Sequence, residues 1–233
     1  MSWFDAATAR EARADRLAAQ VIVIAKEPVP GRVKTRLTPA VSPVTAAALA
    51  EAALADTLDV VASSAVTRRV LALDGAPGDW LPAGFDVIGQ RGGGLDERLA
   101  AAFADVYAAV PLPMVLIGMD TPQVTTALIK DAAQSLVSGE ADAVFGAAED
   151  GGFWLLGLRR PDRSLLAGVP MSQPDTGRVQ LERLTSAGLR VALAPRLTDV
   201  DTIDTAEKVA DQIPDSRFAA VFRSAVGALP LRA

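Results

Sequence analysis

Short apolar segments alternate with longer segments of helical character along this chain. The continuous apolar runs indicate strands at Val21–Ala25, Arg69–Leu73, Phe85–Ile88, Met114–Gly118, Ala143–Gly146, Phe153–Gly157 and Val191–Ala194. Good helix formers and helical spacing of apolar residues indicate helices at Pro43–Ser63, Leu95–Val110, Thr125–Val137, Arg178–Ala187, Thr205–Ile213 and Arg217–Val226. Repeated strand–helix–strand order predicts a three-layer α/β/α sandwich with a mostly parallel sheet.

No stretch of the sequence has the composition of an interdomain linker. We therefore expect a single domain over residues 21–233, preceded by an N-terminal extension of residues 1–20. The extension carries several charged residues and has no apolar core of the signal-peptide type. No run of about 18 apolar residues occurs elsewhere, so we expect a cytoplasmic protein with no membrane partner.

Composition narrows the chemistry that this chain can perform. The net charge is −5, which disfavours general nucleic-acid binding, so we expect no nucleic-acid partner. The sequence contains neither cysteine nor histidine, which excludes disulfides, thiolate zinc sites and Ser-His-Asp triads. A metal ion would have to be held by oxygen atoms, and such ligands suit Mg²⁺ or Mn²⁺. The sequence does not indicate an oligomeric state.

A dense group of cations follows the first predicted strand. Lys26, Arg32, Lys34 and Arg36 stand in the segment of residues 26–36, here called the basic loop, which prolines and a glycine restrain. Ligands of open α/β sheets bind beyond the carboxyl ends of the strands. Arginine offers a fork for phosphate oxygens and lysine a compact charge. We therefore predict that the basic loop binds a polyphosphate, the alternative being a solvated loop.

Carboxylates follow two further predicted strands. Asp120 stands at the end of Met114–Gly118, before Pro122, where it could reach a metal ion that bridges phosphates or serve as an ordinary turn residue. Asp199 and Asp201 follow the last predicted strand and would point to the same side of an extended segment. The pair could share a cation, or Asp201 or Thr202 could simply cap the next helix.

Glycine-rich segments supply two further candidate loops. Glu149-Asp150-Gly151-Gly152 joins two predicted strands and could be a plain hairpin turn or a loop that shapes an acceptor pocket. Gly94 ends a glycine triplet that follows Gln90 and Arg91, and its backbone could approach a ligand closely. Neither a Walker-type phosphate loop nor a dinucleotide fingerprint is present, which disfavours NAD or FAD chemistry.

These segments together resemble a bacterial family of GT-A-like glycosyltransferases of unknown function, the selenodomain-associated transferases. The matching segments are residues 25–37, residues 117–122, residues 148–153 and residues 199–202, with a fifth similarity at Gln90 and residues 94–99. The resemblance extends over residues 21–210 and implies a GT-A, or nucleotide-diphospho-sugar transferase-like, fold. The chain is also similar to phospholactate guanylyltransferases, which share a Lys/Arg-rich loop after the first strand.

The resemblance implies a role for each candidate residue. Nucleotide phosphates would be held by Lys26, Lys34 and Arg36, and we place Arg32, Gln90 and Gly94 on the same nucleotide-binding side. The divalent ion would be held by Asp120 and Asp201, with Asp199 as a weaker ligand. Glu149, Asp150, Gly151, Gly152 and Ser172 would face the acceptor. The family usually has Gly in place of Asp96 and Trp-Ser-Thr in place of Met171-Ser172-Gln173. The second difference leaves open either a different acceptor or a reduced activity.

Three functions remain open from the sequence. The leading hypothesis is a metal-dependent transferase with Lys34, Asp120 and Asp150 as catalytic residues, which transfers a nucleotidyl group from an NTP to a small anionic acceptor and releases pyrophosphate. The second is a glycosyltransferase that uses an NDP-sugar and a hydroxyl-bearing acceptor, with Glu149 or Asp150 as the base. The third is a nucleotide-binding or regulatory relative without turnover. The joint presence of phosphate-binding cations and metal-ligand carboxylates argues against this third function.

Overall fold

Seven strands form one sheet in the computed structural model, which describes residues 16–38 and 40–227. The strands are β1 (Leu17–Lys26), β2 (Val66–Asp74), β3 (Asp86–Gly89), β4 (Met114–Gly118), β5 (Ala143–Ala148), β6 (Phe153–Leu158) and β7 (Val191–Leu197). Their order across the sheet is β3-β2-β1-β4-β6-β5-β7. β6 runs antiparallel to β4 and β5, and the remaining pairs are parallel. The prediction of a mostly parallel sheet is therefore confirmed.

Helices cover both faces of this sheet. They are α1 (Pro43–Ala62), α2 (Leu95–Ala109), α3 (Thr126–Ser138), α4 (Thr176–Ser186), α5 (Ile203–Gln212) and α6 (Arg217–Gly227), with single 3₁₀ turns at Thr35–Leu37 and Arg163–Leu165. Alternate residues of β1 point to opposite faces, so Val21 and Val23 pack with α1 and α3, whereas Ile22 packs with α2 and α4. The predicted three-layer α/β/α sandwich is confirmed.

A third apolar cluster lies on the outer side of α1. Leu49 and Ala53 of α1 pack there against Val209 of α5 and Phe218 of α6. Residues of α1 thus belong to two apolar clusters, because one side of this helix faces the sheet and another faces α5 and α6. None of the helices in the described residues is long and apolar enough to span a membrane.

The first strand begins earlier than its apolar run. Residues 1–15 of the predicted extension lie outside the described residues, but β1 starts at Leu17, so residues 17–20 belong to the sheet. The apolar pattern did not indicate this earlier start, because Gln20 is polar although it is fully buried. Its side-chain amide donates to the Val110 carbonyl oxygen at 2.8 Å, and Arg68 donates to its Oε1 at 3.0 Å. Hydrogen bonds thus allow a polar residue inside the core.

Candidate active site

A cleft of about 610 Å³ opens at the carboxyl ends of β1 and β4. β2 and β3 follow β1 on one side of it in the sheet. The next strand, β4, lies on the other side of β1, so the direction of strand addition changes between β1 and β4. Open α/β sheets bind ligands at such a change of direction. Eleven predicted site residues line the cleft: Lys26, Arg32, Lys34, Arg36, Gln90, Asp120, Asp150, Gly152, Ser172, Asp199 and Asp201.

Two apolar anchors hold the basic loop in place. Val33 and Leu37 are buried, whereas Arg32 and Arg36 between and beside them remain exposed. The first residue of the loop is tied to the segment after β4, because the Lys26 backbone N–H donates to Met119 Sδ at 3.3 Å. The backbone therefore has a defined path while the guanidinium groups stay accessible to a ligand.

Lys34 lines the cleft, and three oxygen atoms hold its ammonium. Its ammonium is 2.5 Å from Asp120 Oδ1 and 3.4 Å from Asp201 Oδ1, and it donates a hydrogen bond to the Val200 carbonyl oxygen. The Lys34 side chain is 5% exposed, against 44% for Asp120. The backbone of Lys34 has a φ of 48°. Left-handed conformations of this kind are strained for residues other than glycine and cluster at functional sites.

Asp201 is available for the cleft because another residue caps the following helix. The side chain of Thr202 accepts from the Thr205 N–H, and the Thr205 hydroxyl accepts from the Thr202 N–H in return. Of the two residues that could have capped this helix, Asp201 and Thr202, it is therefore Thr202 that does so. The Asp201 carboxylate instead contacts Lys34 and accepts from Arg36 at 3.0 Å.

The loops after β4 and β7 are joined to each other. The Val200 N–H donates to the Asp120 carbonyl oxygen at 2.9 Å, and the Gln123 side chain donates to the Thr198 carbonyl oxygen at 2.7 Å. Val200 is also buried in the same apolar cluster as Leu37, the last residue of the 3₁₀ turn that overlaps the end of the basic loop. Hydrogen bonds and packing therefore bring together the end of the basic loop, the loop after β4 and the loop after β7, which are far apart in the sequence.

The carboxyl of Asp199 is partly buried beside other acidic side chains of the cleft, and this position raises its proton affinity. Burial, followed by the charges of Asp150 and Asp120, raises the pKa of the Asp199 carboxyl to about 8, although Lys34 acts in the opposite direction. Carboxylates that crowd together resist ionisation, and one of them keeps its proton. Since burial is the largest of these causes, the Asp199 carboxyl keeps its proton at neutral pH chiefly because it is withdrawn from water.

The donor set around Lys34 fits a hard divalent cation. No three Asp or Glu side chains in residues 16–38 and 40–227 converge as a complete metal site. However, Asp120, Asp201 and the Val200 carbonyl already surround one cation, the ammonium of Lys34. Mg²⁺ is commonly held by only one or two carboxylates, with phosphate and water oxygens as its other ligands. Asp120 and Asp201 would be its protein ligands, with Asp199 beside them.

The turn between β5 and β6 divides the predicted acceptor residues. Asp150 lines the cleft and accepts from the Gly152 N–H at 2.8 Å. Glu149 does not line the cleft, which corrects its predicted position. It forms an ion pair with Lys208 of α5 at 2.6 Å, and hydrogen bonding from Lys208 lowers the pKa of Glu149. The segment is the hairpin turn that its sequence indicated, with one of its two acids directed into the cleft.

Glycine is required in this turn by close contact with Pro174, which lies just before α4. Gly151 does not line the cleft; its carbonyl accepts from the Gly177 N–H at 2.8 Å, and its φ is 92°. A Cβ at Gly151 would collide with the Pro174 carbonyl oxygen, and one at Gly177 would collide with the Gly152 carbonyl oxygen. The contact holds the hairpin turn against the first turn of α4 and thereby fixes the direction of Asp150.

The predicted nucleotide-side residues after β3 have structural partners. The Gln90 amide donates to the carbonyl oxygens of Ala25 and Ala72, at 2.7 and 2.9 Å, and so ties together the ends of β1 and β2. Gly94 does not line the cleft but is the N-cap of α2, whereas its neighbour Gly93 does line it. Gly94 is thus placed differently from the prediction, because α2 begins one residue after it.

Several residues that line the cleft were assigned no role from the sequence. Arg98 lines the cleft and donates to Asp74 Oδ2 at 2.8 Å, and Leu95, Leu99, Phe153 and Met171 form apolar parts of the wall. Arg98 could have been found, because it is one turn into a helix that starts at the carboxyl end of a strand. The apolar residues carry no such signal, since their pattern is that of ordinary core residues.

A family model described as "Uncharacterized protein conserved in bacteria (DUF2064)" matches residues 40–173, which is more than half of the sequence. The chain belongs to this family. The match includes Asp120 and Asp150 but neither the basic loop nor Asp201. A comparison with curated proteins gave no significant match.

Similar solved structures share the fold of the DUF2064 chain. A candidate nucleotide-diphospho-sugar transferase from Desulfovibrio desulfuricans G20 is 26% identical, with a TM-score of 0.81 over 90% of this chain and 96% of its own. CMP:2-keto-3-deoxy-manno-octonic acid synthetase, solved with CTP, is 14% identical, with a TM-score of 0.54 over 84% of this chain and 98% of its own. Rv0371c from Mycobacterium tuberculosis H37Rv, solved with manganese, is 21% identical, with a TM-score of 0.50 over 84% and 99%. The fold is that of nucleotide-diphospho-sugar transferases and nucleotidyltransferases.

Proposed function

We propose that this DUF2064 protein is a divalent-metal-dependent nucleotidyltransferase that joins an NTP to a small anionic acceptor and releases pyrophosphate. The observation that carries the proposal is the meeting of the basic loop with Asp120 and Asp201 across one cleft. A triphosphate brings more negative charge than a diphosphate, and four cations of the basic loop line this cleft. The CTP bound to the synthetase of similar fold supports the same choice of ligand.

In this proposal the chain binds and positions the phosphates. Lys26, Arg32 and Arg36 line the cleft and would neutralise the β- and γ-phosphates of the nucleotide. An oxygen of the acceptor forms a bond to the α-phosphorus while the bond from that phosphorus to the bridging β-oxygen breaks. An acceptor that is already ionised has no proton to lose, so the absence of histidine is no obstacle. Positioning and charge stabilisation supply most of the catalysis in such reactions.

Mg²⁺ or Mn²⁺ would be held by Asp120 and Asp201, with Asp199 as a further candidate ligand. When bound, the ion would stabilise the charge that develops on the leaving pyrophosphate. The manganese found with the structurally similar Rv0371c supports the assignment, and so does the oxygen-only donor set of this chain. Within DUF2064 we place the chain with the selenodomain-associated type, similar to phospholactate guanylyltransferases, on the motifs of the basic loop and the hairpin turn.

One observation favours glycosyl transfer from an NDP-sugar as a second candidate function. A hydroxyl acceptor must lose a proton, and Glu149 is unsuitable as the base because Lys208 engages it outside the cleft. Asp199 lines the cleft, and its pKa near 8 suits a group that takes up a proton near neutrality. Asp150 is the other base candidate, since it lies in the same part of the cleft.

The products of the reaction distinguish the two functions. The full chain would be incubated with each NTP, Mn²⁺ or Mg²⁺ and a panel of small phosphates and carboxylates, and released pyrophosphate would be measured. NDP released from a panel of NDP-sugars would be measured in parallel. Pyrophosphate release with one NTP supports the proposal. Release of NDP alone would replace it by the second candidate, and release of neither would leave a nucleotide-binding protein without turnover.

A pair of matched variants tests whether the acidic residues of the cleft are responsible. Asp120→Asn should lower the rate by at least about 100-fold, because a neutral amide is a poor metal ligand and stabilises no cation. Asp142→Asn is the control, since Asp142 pairs with Arg190 at the opposite, amino end of β5. Equal rates for Asp120→Asn and the unsubstituted chain would remove Asp120 from the catalytic site.

A further inference from the structure

Lys34 occupies the place that a metal ion would take in the proposed function. Its ammonium contacts Asp120 Oδ1 and Asp201 Oδ1 and donates to the Val200 carbonyl, and these oxygens are the ones that fit a divalent cation. Asp120 is half exposed while the Lys34 side chain is buried, so the ammonium lies beneath the accessible carboxylate. The protein thus supplies its own cation to the carboxylate site.

The Lys34 ammonium and a divalent ion cannot both contact the oxygens of Asp120 and Asp201 at short distance. A divalent ion bound to Asp120 and Asp201 would lie a few ångströms from the ammonium, and like charges at such a distance repel strongly where water is scarce. Lys34 must therefore leave the carboxylates before the ion is fully bound. The basic loop offers it another role, because an ammonium on a long flexible stem can reach a phosphate oxygen.

The conformation of the basic loop allows such a movement. Lys34 is one of two residues other than glycine with positive φ in the described chain, and it precedes a single 3₁₀ turn. Gly31, three residues before it, also has a positive φ, and a Cβ added there would meet no atom within 4 Å, so the loop is not packed at that point. A left-handed lysine is held by its interactions rather than by backbone preference, so loss of the contacts with Asp120 and Asp201 would release it.

We propose that Lys34 is a resident cation of the carboxylate site that moves to the phosphates when metal and nucleotide bind together. This inference rests on the proposed function and assigns the order of events within it. Metal alone competes with the ammonium and binds weakly. Polyphosphate draws the ammonium away, so the metal affinity rises when polyphosphate is present. Coupling of this kind is reciprocal: metal raises the affinity for polyphosphate by the same factor.

Binding of Mn²⁺ in the absence of nucleotide tests the competition. Free Mn²⁺ would be measured by electron paramagnetic resonance for the unsubstituted chain, Lys34→Met, Lys34→Arg and Lys26→Met. Lys34→Met should bind Mn²⁺ about tenfold more tightly than the unsubstituted chain, and Lys34→Arg should not. Lys26→Met removes an exposed charge of the same loop and should change the affinity by no more than roughly twofold. Equal affinity of Lys34→Met and the unsubstituted chain would overturn the inference.

A second measurement uses the unsubstituted chain and does not depend on the folding of a variant. The sequence contains four lysines, so ¹⁵N labelling of lysine gives few side-chain signals, and Lys34→Arg identifies that of Lys34. Mg²⁺ alone should leave the Lys34 ammonium signal in place, whereas Mg²⁺ with inorganic tripolyphosphate should shift it.

The outcomes separate this inference from the function on which it rests. If tripolyphosphate and Mg²⁺ bind, as the signal of Lys26 and a thermal shift would report, while the Lys34 signal stays unchanged, the resident-cation role is wrong and the proposed function stands. If they produce no shift of any lysine signal and no thermal stabilisation, the phosphate-binding cleft itself is wrong, and both proposals fall.

Discussion

At the scale of single residues, the cleft combines groups that the sequence marks clearly with contacts that it does not reveal. The run of cations and the Asp120 and Asp201 carboxylates are visible as residue types after predicted strands. Their pairing through Lys34 is not visible, because it depends on a left-handed backbone at Lys34 and on the burial of Val200. The sequence marks Asp199 as a candidate ligand but does not reveal its raised pKa, which depends on its burial near other acids.

The raised pKa of Asp199 predicts a pH dependence of stability in the metal-free protein. The folded state holds a proton on Asp199 up to about pH 8, while the ordinary value of 3.8 applies to the unfolded chain. Between these values the folded state binds more protons, so this group makes the free energy of unfolding fall as the pH rises. Asp199→Asn cannot ionise, so its stability relative to the unsubstituted chain should increase from about pH 5 to about pH 8.

Urea titrations in EDTA would measure this difference. Asp142→Asn serves as the control, because Arg190 lowers the pKa of Asp142 and its contribution is already complete above the ordinary pKa of an aspartate. The stability difference for that variant should therefore be constant over the same pH range. A constant difference for Asp199→Asn as well would show that Asp199 ionises normally in the folded state.

At the scale of elements, the contact between the hairpin turn and α4 shapes the acceptor side of the cleft. Gly151 and Gly152 present their carbonyl groups to the first turn of α4, where Gly177 leaves space for them. Replacing a helical glycine by alanine normally stabilises a helix, by about 1 kcal/mol in its interior. The close approach of Gly152 should reverse that sign at Gly177.

We therefore expect Gly177→Ala to lower the free energy of unfolding by about 1–3 kcal/mol, because the added methyl group must displace the hairpin turn. Gly227→Ala is the control, since a Cβ at the last residue of α6 meets no atom within 4 Å. Chemical denaturation of both variants would measure the effect. A Gly177→Ala variant as stable as the unsubstituted chain would mean that the turn and α4 are not in direct contact.

Most elements could be predicted because each rests on a local pattern. The continuous apolar run Met114–Gly118 is β4 without change, and the predicted helix at Thr125–Val137 is α3 with Thr125 as its cap. The hidden start of β1 at Leu17 and the structural role of Gly151 could not be predicted. Both depend on contacts with distant segments, namely Arg68 and Val110 around Gln20, and α4 against the turn.

At the scale of the whole molecule, an acidic protein concentrates its basic loop at one edge of the sheet. The third apolar cluster makes this possible, because Leu37 and Val200 are buried in it beside the residues that line the cleft. The overall fold followed from strand and helix order, whereas the order of strands in the sheet and the identity of the ligand did not. Because one fold can carry several different reactions, the function of this protein depends on the residues that line the cleft and on the molecules that they bind.

Thermal unfolding of the purified chain with a panel of nucleotides tests the central proposal most directly. Each NTP and each common NDP-sugar would be added with and without Mn²⁺, and a ligand at about 100 times its dissociation constant should add roughly 2.7 kcal/mol of stability. The proposed function predicts stabilisation by one NTP that requires the metal and is lost in Asp120→Asn. Stabilisation by NDP-sugars and not by any NTP would contradict nucleotidyl transfer, and no stabilisation by any of them would contradict a nucleotide-binding cleft altogether.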